Sequence, residues 1–265
     1  MSDIASRAAP APAEIDESLI HDVDAFFRYQ LEDNLKFWRR FGLEVDVGGE
    51  DVLDLGCGHG ALSLDLARRG ARSVLGLDPA AQRVAYAEAK ARPEAPHVLS
   101  FATTDVRELP GEARFDRVVS KDTFEHVGDV PGTMRALHRL LRPGGIAMLG
   151  FSPLWYSPFG DHGELGSRLP WAHVFAGEAP VLAAFNARNA SRHASLREAG
   201  FNMLVKRDFL DAFSASGLVL DRLVVNPSEG GLKGVLATAL RLLSAVPGLD
   251  RYCTVGLYAI LRRPG

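Results

Sequence analysis

The stretch "DLGCGHGA", Asp54–Ala61, sets three glycines on alternate positions directly after the apolar run "DVLDL". A short buried run, a glycine turn and then the apolar-periodic "GALSLDLARRG" read as strand, turn and helix. Glycines at such a strand end let the backbone approach a ligand with no Cβ in the way. The spacing admits two ligands. Gly56, Gly58 and Gly60 form G-x-G-x-G, while Gly56, Gly58 and Ala61 also satisfy the dinucleotide fingerprint G-x-G-x-x-G/A.

The pattern repeats outward from this turn. "RSVLGLD" (Arg72–Asp78), "HVLSFATTD" (His97–Asp105), "RFDRVVSKD" (Arg114–Asp122) and "GIAMLGFS" (Gly145–Ser152) read as the second to fifth strands. Helical segments separate them, and Pro79 suits the first turn of the helix after the second strand. Strands alternating with helices predict an α/β fold with a parallel sheet covered on both faces. After Ser152 the rhythm breaks into an aromatic, Pro- and Gly-rich stretch. "VKRDFLDAFSASG" then predicts a helix, "LVLDRLVV" (Leu218–Val225) a sixth strand and "RYCTVGLYAILRR" (Arg251–Arg263) a last one. Ahead of the sheet, "SLIHDVDAFFRYQLEDNLKFWRRFG" (Ser18–Gly42) has three-and-four apolar spacing, with Ser18 as its expected cap and Gly42 as its stop. The expected organisation is a disordered leader over residues 1–17, a lid helix over 18–42, and one domain over 43–265 with insertions at about 153–203 and 226–250.

The 265 residues carry a formal charge of −3, which gives no electrostatic footprint for nucleic acid. The longest apolar stretch, Gly234–Leu249, contains Arg241 and Pro247 and is too short for stable insertion in a membrane. Two cysteines, Cys57 and Cys253, and no signal-peptide pattern point to reduced thiols and a cytoplasmic location.

Ligands of open α/β sheets sit at the carboxyl ends of the strands. Asp78, about 20 residues after the turn, can accept from a ribose diol, which both candidate ligands have. Asp54 separates them. A carboxylate there is awkward beside a pyrophosphate but suits the ammonium of S-adenosylmethionine (SAM). Asp105 can accept from an adenine amino group, and "SKDTFEHV" makes a polar cluster at the fourth strand's end.

"VLDLGCGHG", "VLGLDPA", "TTDVRELP", "FDRVVSKDTFEHVGD" and "LLRPGG" resemble, in order and spacing, the class I SAM-dependent methyltransferases, especially the methyltransferase type 11 group. The resemblance implies a Rossmann-like seven-stranded sheet of order 3-2-1-4-5-7-6 with the last strand antiparallel. It implies SAM as cofactor, with S-adenosyl-L-homocysteine as product, and a small-molecule methyl acceptor. Gly56, Gly58 and Gly60, with Cys57 between them, would lie beneath the methionine part. Asp78 and Pro79 would border the ribose, Asp105 and Val106 the adenine, and Lys121 and Asp122 the methionine end. Cys57 reads as a packing residue rather than a nucleophile, His59 as a solvated residue at the helix start, and Asp129 as a helix cap.

His126 is the candidate general base, with Glu125 beside it. "FEHVG" also resembles the cyclopropane fatty acid synthases, which raises a lipid C-methylation reading. The Pro153–Pro180 insertion should roof the acceptor site, with Trp155, Tyr156, His162, Trp171 and His173 as pocket candidates, joined by Tyr29 and Trp38 from the N-terminal helix. Asp161, His162 and His173 suit a divalent ion by type but match no metal template. They equally suit a structural role, satisfying loop carbonyls. The helix near Leu232–Ala245, with basic Lys233 and Arg241, suits packing, a membrane surface or a second copy in a homodimer. The expected function is methyl transfer to O or N of a small molecule. A lipid or quinone methyltransferase and a non-catalytic SAM-binding protein are the alternatives.

Overall fold

The computed structural model describes residues 22–227 and 231–265, and side chains outside 231–233 within them. The leader and Ser18 lie outside the described residues. The chain runs α1 (Val23–Arg40), β1 (Asp51–Leu55), α2 (Ala61–Arg68), β2 (Ser73–Leu77), α3 (Ala81–Lys90), β3 (Leu99–Ala102), β4 (Phe115–Lys121), α4 (Val130–Leu140) and β5 (Leu141–Phe151). It continues with α5 (Ala172–Ala176), α6 (Glu178–Arg188), α7 (Lys206–Ala215), β6 (Val219–Val225), α8 (Gly231–Leu243), α9 (Asp250–Cys253) and β7 (Leu257–Arg262).

The seven strands form one sheet in the order β3-β2-β1-β4-β5-β7-β6. β1 to β5 pair in parallel, and β7 runs antiparallel to both β5 and β6. This is the expected order and sense. The strand order reverses between β1 and β4, so their carboxyl ends, Leu55 and Lys121, open the crevice where such sheets bind ligands. Two apolar layers sandwich the sheet. One holds Phe124, Met134, Leu137 and Phe213, and the other holds Phe37, Phe41, Leu64 and Tyr258.

Two element boundaries and the buried face of α1 have physical causes that the sequence reading did not resolve. The fourth helix ends at Leu140, because Pro143 cannot continue it and Gly144 takes φ +80°. The last strand starts at Leu257, since Asp250–Cys253 closes one helical turn first. In α1 the buried stripe is Phe27, Asn34, Phe37 and Trp38, while Leu35 faces solvent. Each buried aromatic of this stripe contributes roughly 1.5–3 kcal/mol. Asp22 caps α1, its Oδ1 accepting from the Ala25 amide at 2.9 Å.

Candidate active site

At the end of β1, Asp54 is fully buried. Its Oδ2 accepts from Ser63 Oγ at 2.6 Å, and its Oδ1 has no hydrogen-bond partner. Burial pushes its carboxyl up to about 7, Ser63 opposes the shift and the Asp78 charge adds to it. The chain then turns through Gly56 (φ +75°), Gly58 (φ +51°) and Gly60 (φ +84°), left-handed values that favour glycine. A Cβ on Gly56 would collide with Thr123, and one on Gly60 would lie 2.9 Å from Ala87 Cβ. A Cβ on Gly58 would meet nothing within 4 Å, so this glycine faces open space. The turn is tied to β2. Gly56 and Cys57 donate their amides to Leu77 O at 2.8 and 2.9 Å, and Gly58 N donates to Asp78 Oδ2 at 3.0 Å. Asp78 Oδ1 accepts from Ala80 N at 2.8 Å, with Pro79 between them. Cys57 is buried and its thiol is pushed well up by that burial, so it packs rather than reacts.

Asp105 and Val106 follow β3. Val106 is buried in the core. Burial alone would raise the Asp105 carboxyl, but Arg107 outweighs it and holds it below its ordinary value. Arg107 Nη2 and Nε donate to that carboxylate at 2.7 and 3.0 Å, so Asp105 already has a partner where an adenine amino group was expected. Arg107 also bridges to Asp129 at 2.9 Å, and Asp129 caps α4 by accepting from Gly132 N at 2.8 Å.

The β4 loop brings together most of the remaining candidates. Lys121 Nζ reaches back to α1, 2.9 Å from Asp33 Oδ2 and 3.1 Å from Asn34 Oδ1. It therefore latches α1 across the strand ends. Asp122 has φ +48° and donates its amide to Gly150 O at 2.8 Å. The residue keeps exposed surface, yet desolvation by the surrounding protein, opposed by Lys121 and Arg40, pushes its carboxyl up to about 6. Glu125 is buried with neither carboxyl oxygen in a hydrogen bond of normal geometry. Burial first, and the Asp122 charge second, drive its carboxyl well above the usual range, which favours the neutral acid. His126 Nδ1 lies 3.0 Å from Gly200 O. A carbonyl can only accept, so Nδ1 carries the proton and Nε2 keeps a free lone pair. Burial lowers the His126 imidazole further, and the Gly200 carbonyl partly offsets this. At neutral pH His126 is an uncharged ring of fixed tautomer.

The insertion after β5 supplies Gly200 and one residue that sequence reasoning missed. Asn202 is buried, and its Nδ2 donates to Phe124 O at 2.7 Å and Val127 O at 3.1 Å, straddling Glu125 and His126. His162 (φ +55°) sets its ring 5.0 Å from that of His126, and both stand against Phe201. Desolvation on the side facing the protein, and then His126, lower the His162 imidazole, although the residue keeps exposed surface.

Other pocket candidates are placed elsewhere. Trp155 packs against Val181, Phe185 and Phe201 in the insertion's own small core. His173 is buried, its Nε2 2.6 Å from Trp155 O, which is the structural role of satisfying a loop carbonyl. Trp171 Nε1 donates to Tyr252 O at 3.0 Å, and Tyr156 lies under the Arg251 guanidinium. Trp38 is buried against α2 and donates to Asp65 Oδ2 at 2.6 Å, which makes it a packing residue. Tyr29 is exposed beside Phe26. His59 is not solvated as expected but buried edge-on to Phe26 and Tyr86, because α1 closes over the start of α2. Among the described residues no three His, Cys, Asp or Glu side chains converge as a metal site.

This geometry fits a nucleoside ligand with a cationic tail. The glycine turn is open at Gly58, a buried carboxyl oxygen is unpartnered at Asp54, and an acid stands at the end of β2. Residues 52–145 match the family described as "Methyltransferase domain". Over 104 residues the chain is 36% identical to a ubiquinone biosynthesis O-methyltransferase of Rhodopseudomonas palustris, covering 39% of this chain and 40% of that protein. Over 99 residues it is 40% identical to the enzyme of the same name from Methylocella silvestris, covering 37% and 38%. The matched segment thus spans about 40% of the length of these curated relatives. A crystal structure of a SAM-dependent methyltransferase from Mesorhizobium loti superposes with TM-score 0.58 at 20% identity, over 88% of this chain and all of that one. The fold is that of the class I methyltransferases.

Proposed function

We propose that this chain, built on a class I methyltransferase fold, transfers a methyl group from SAM to a hydroxyl oxygen of a small molecule and releases S-adenosylhomocysteine. The observation that carries the reading is Asp54, whose buried, unpartnered Oδ1 lies at the open glycine turn. A dinucleotide's pyrophosphate would be repelled there, whereas an ammonium group supplies the missing partner. When bound, the sulfonium supplies an activated methyl group. The chain's own residues do the rest. The glycine turn lets backbone approach the nucleoside, and Asp78 can accept from its ribose hydroxyls. His126 Nε2 accepts the proton that the acceptor hydroxyl loses. Of the two catalytic candidates, His126 fits that role and Glu125 does not, because burial keeps its proton in place.

The likeness to ubiquinone biosynthesis O-methyltransferases supports oxygen as the acceptor atom, and it favours a quinol-like phenol as the second, narrower reading. The test is calorimetry with SAM and with NAD, followed by transfer of labelled methyl to a panel of phenols and catechols. SAM binding with labelled product supports the proposal. NAD binding without SAM binding, or SAM binding with no product from any hydroxyl, overturns it.

A further inference from the structure

His162 stands where the insertion after β5 meets the β4 loop, and its backbone is unusual. It takes φ +55°, and Gly163 after it takes φ +82°. A left-handed conformation is uncommon for a residue with a side chain, and such strain collects at functional sites. Two turn bonds hold it there. His162 N donates to Phe159 O at 3.1 Å, and Glu164 N donates to Asp161 O at 3.0 Å. The turn sets the His162 ring beside the base. The two imidazole centres are 5.0 Å apart, their planes are inclined by 39°, and both rings meet the buried Phe201.

The two imidazoles differ in what they already bond. His126 commits Nδ1 to Gly200 O and has Nε2 left over. Neither ring nitrogen of His162 has a hydrogen-bond partner among the described residues. Its chain neighbour Asp161 does not hold it. Asp161 is buried, its Oδ2 accepts from Leu165 N at 3.0 Å, and its Oδ1 lies 3.7 Å from His173 Nδ1. His162 is exposed and His126 half-buried, so both can meet a ligand. Desolvation and His126 lower the His162 imidazole, against Asp161, which keeps the ring neutral at neutral pH. A neutral imidazole offers one N–H and one lone pair. With neither committed, His162 can donate to an oxygen or accept from a hydroxyl.

We propose that His162 is a specificity-determining residue that binds a second oxygen of the acceptor, on the carbon next to the one bearing the reacting hydroxyl. The inference rests on methyl transfer to a hydroxyl whose proton goes to His126. A hydroxyl bonded to His126 Nε2 has the His162 ring as its neighbour. Hydrogen bonds of roughly 3 Å from rings this close converge on nearby atoms. Oxygens on adjacent carbons fit that span, and oxygens at opposite ends of an aromatic ring do not. The acceptor class is therefore a vicinal diol, a catechol or a hydroxyl beside a carbonyl. His162 forms and breaks no covalent bond. It orients the hydroxyl toward the methyl group.

Catechol, hydroquinone and phenol, compared by kcat/KM with labelled SAM, test the proposal. Wild type should prefer catechol at least about tenfold over the other two, the worth of one hydrogen bond. His162→Gly suits the left-handed backbone and removes the ring. It should lower kcat/KM for catechol about tenfold and change the other two by less than about twofold. His162→Asn, whose short side chain also tolerates this backbone, should behave alike. NMR of histidine-labelled protein reads binding apart from turnover: the His162 signals should move with catechol and stay in place with hydroquinone. Equal kcat/KM for all three phenols, or a catechol preference that survives both variants, overturns the role of His162 and leaves methyl transfer standing. Moved His162 signals without labelled product keep the oxygen subsite and overturn the transfer. Unmoved signals without product overturn both.

Discussion

Replacing Asp54 by Asn should make the ligand-free protein more stable and its cofactor site worse. Burial raises this carboxyl from 3.8 to about 7, a shift of about 3 pH units. Below about pH 4 both folded and unfolded chains hold the proton, and Asp54 carries no penalty. Between about pH 4 and 7 only the unfolded chain ionises, and stability falls by about 1.4 kcal/mol per unit. Above about 7 the deficit stays near 4 kcal/mol. Asn removes this deficit but leaves an amide N–H unpaired where Oδ1 now stands, at a cost of about 1–3 kcal/mol. The net gain at pH 8 is then about 1–3 kcal/mol, or about 2–6 °C in Tm; it vanishes at about pH 5–6, where the deficit equals that cost, and at pH 4 the variant is the less stable of the two. SAM affinity should respond in the opposite sense, because the ammonium needs the carboxylate. In wild type it should fall as pH drops below about 7, and in the variant it should be about 10–100-fold weaker at pH 8 and nearly independent of pH. Thermal melts across pH, paired with calorimetry at pH 6 and 8, measure both quantities. A variant that is less stable than wild type at pH 8 without ligand, or that binds SAM equally well, refutes the reasoning.

Gly58→Ala and Gly56→Ala should separate binding from folding. The first meets no atoms and should cost only the roughly 1–2 kcal/mol of a left-handed alanine, yet abolish SAM binding; the second collides with Thr123 and should lower Tm by much more. Normal SAM binding by Gly58→Ala would place the ligand elsewhere. His126→Ala should lower methyl transfer about 10²–10⁴-fold with SAM affinity unchanged, as read by single-turnover kinetics. The wild-type rate should rise with pH only through a value below 6.5 and be flat above it, because burial lowers that imidazole. Asn202→Ala should reduce kcat more than KM and shift that acid limb, since it frees the loop that carries His126; a loss in KM alone would assign Asn202 to acceptor binding.

The parallel sheet was legible because each strand is a nearly unbroken apolar run ending in a polar residue, and the glycine turn marks the first of those ends. The inserted regions carry no period, so their pairings were not legible. Asn202 sits in "GFNM" with nothing to mark it, and its role depends on Phe124 and Val127 being brought close from 78 and 75 residues away. Asn34 did leave a trace. It occupies the position in the α1 stripe between Phe27 and Phe37 where an apolar residue belongs, and it is buried because Lys121 needs an acceptor there. His59 was misjudged because a helix start looks exposed until another helix is laid over it. Trp38 was misjudged because an aromatic on a cover helix looks the same whether it faces a ligand or α2.

The bond from His126 to Gly200 has a consequence for how acceptor preference can change in such a protein. The insertion after β5, expected from the sequence to roof the acceptor site, supplies the carbonyl oxygen that decides which imidazole nitrogen is basic. Exchanging this insertion with that of a relative would therefore transplant more than a new pocket shape. It would carry along, or lose, the setting of a proton on another part of the chain. Chimeras that keep Gly200 and Asn202 in place should retain turnover on whatever they bind, and those that shift either by one residue should bind without turning over.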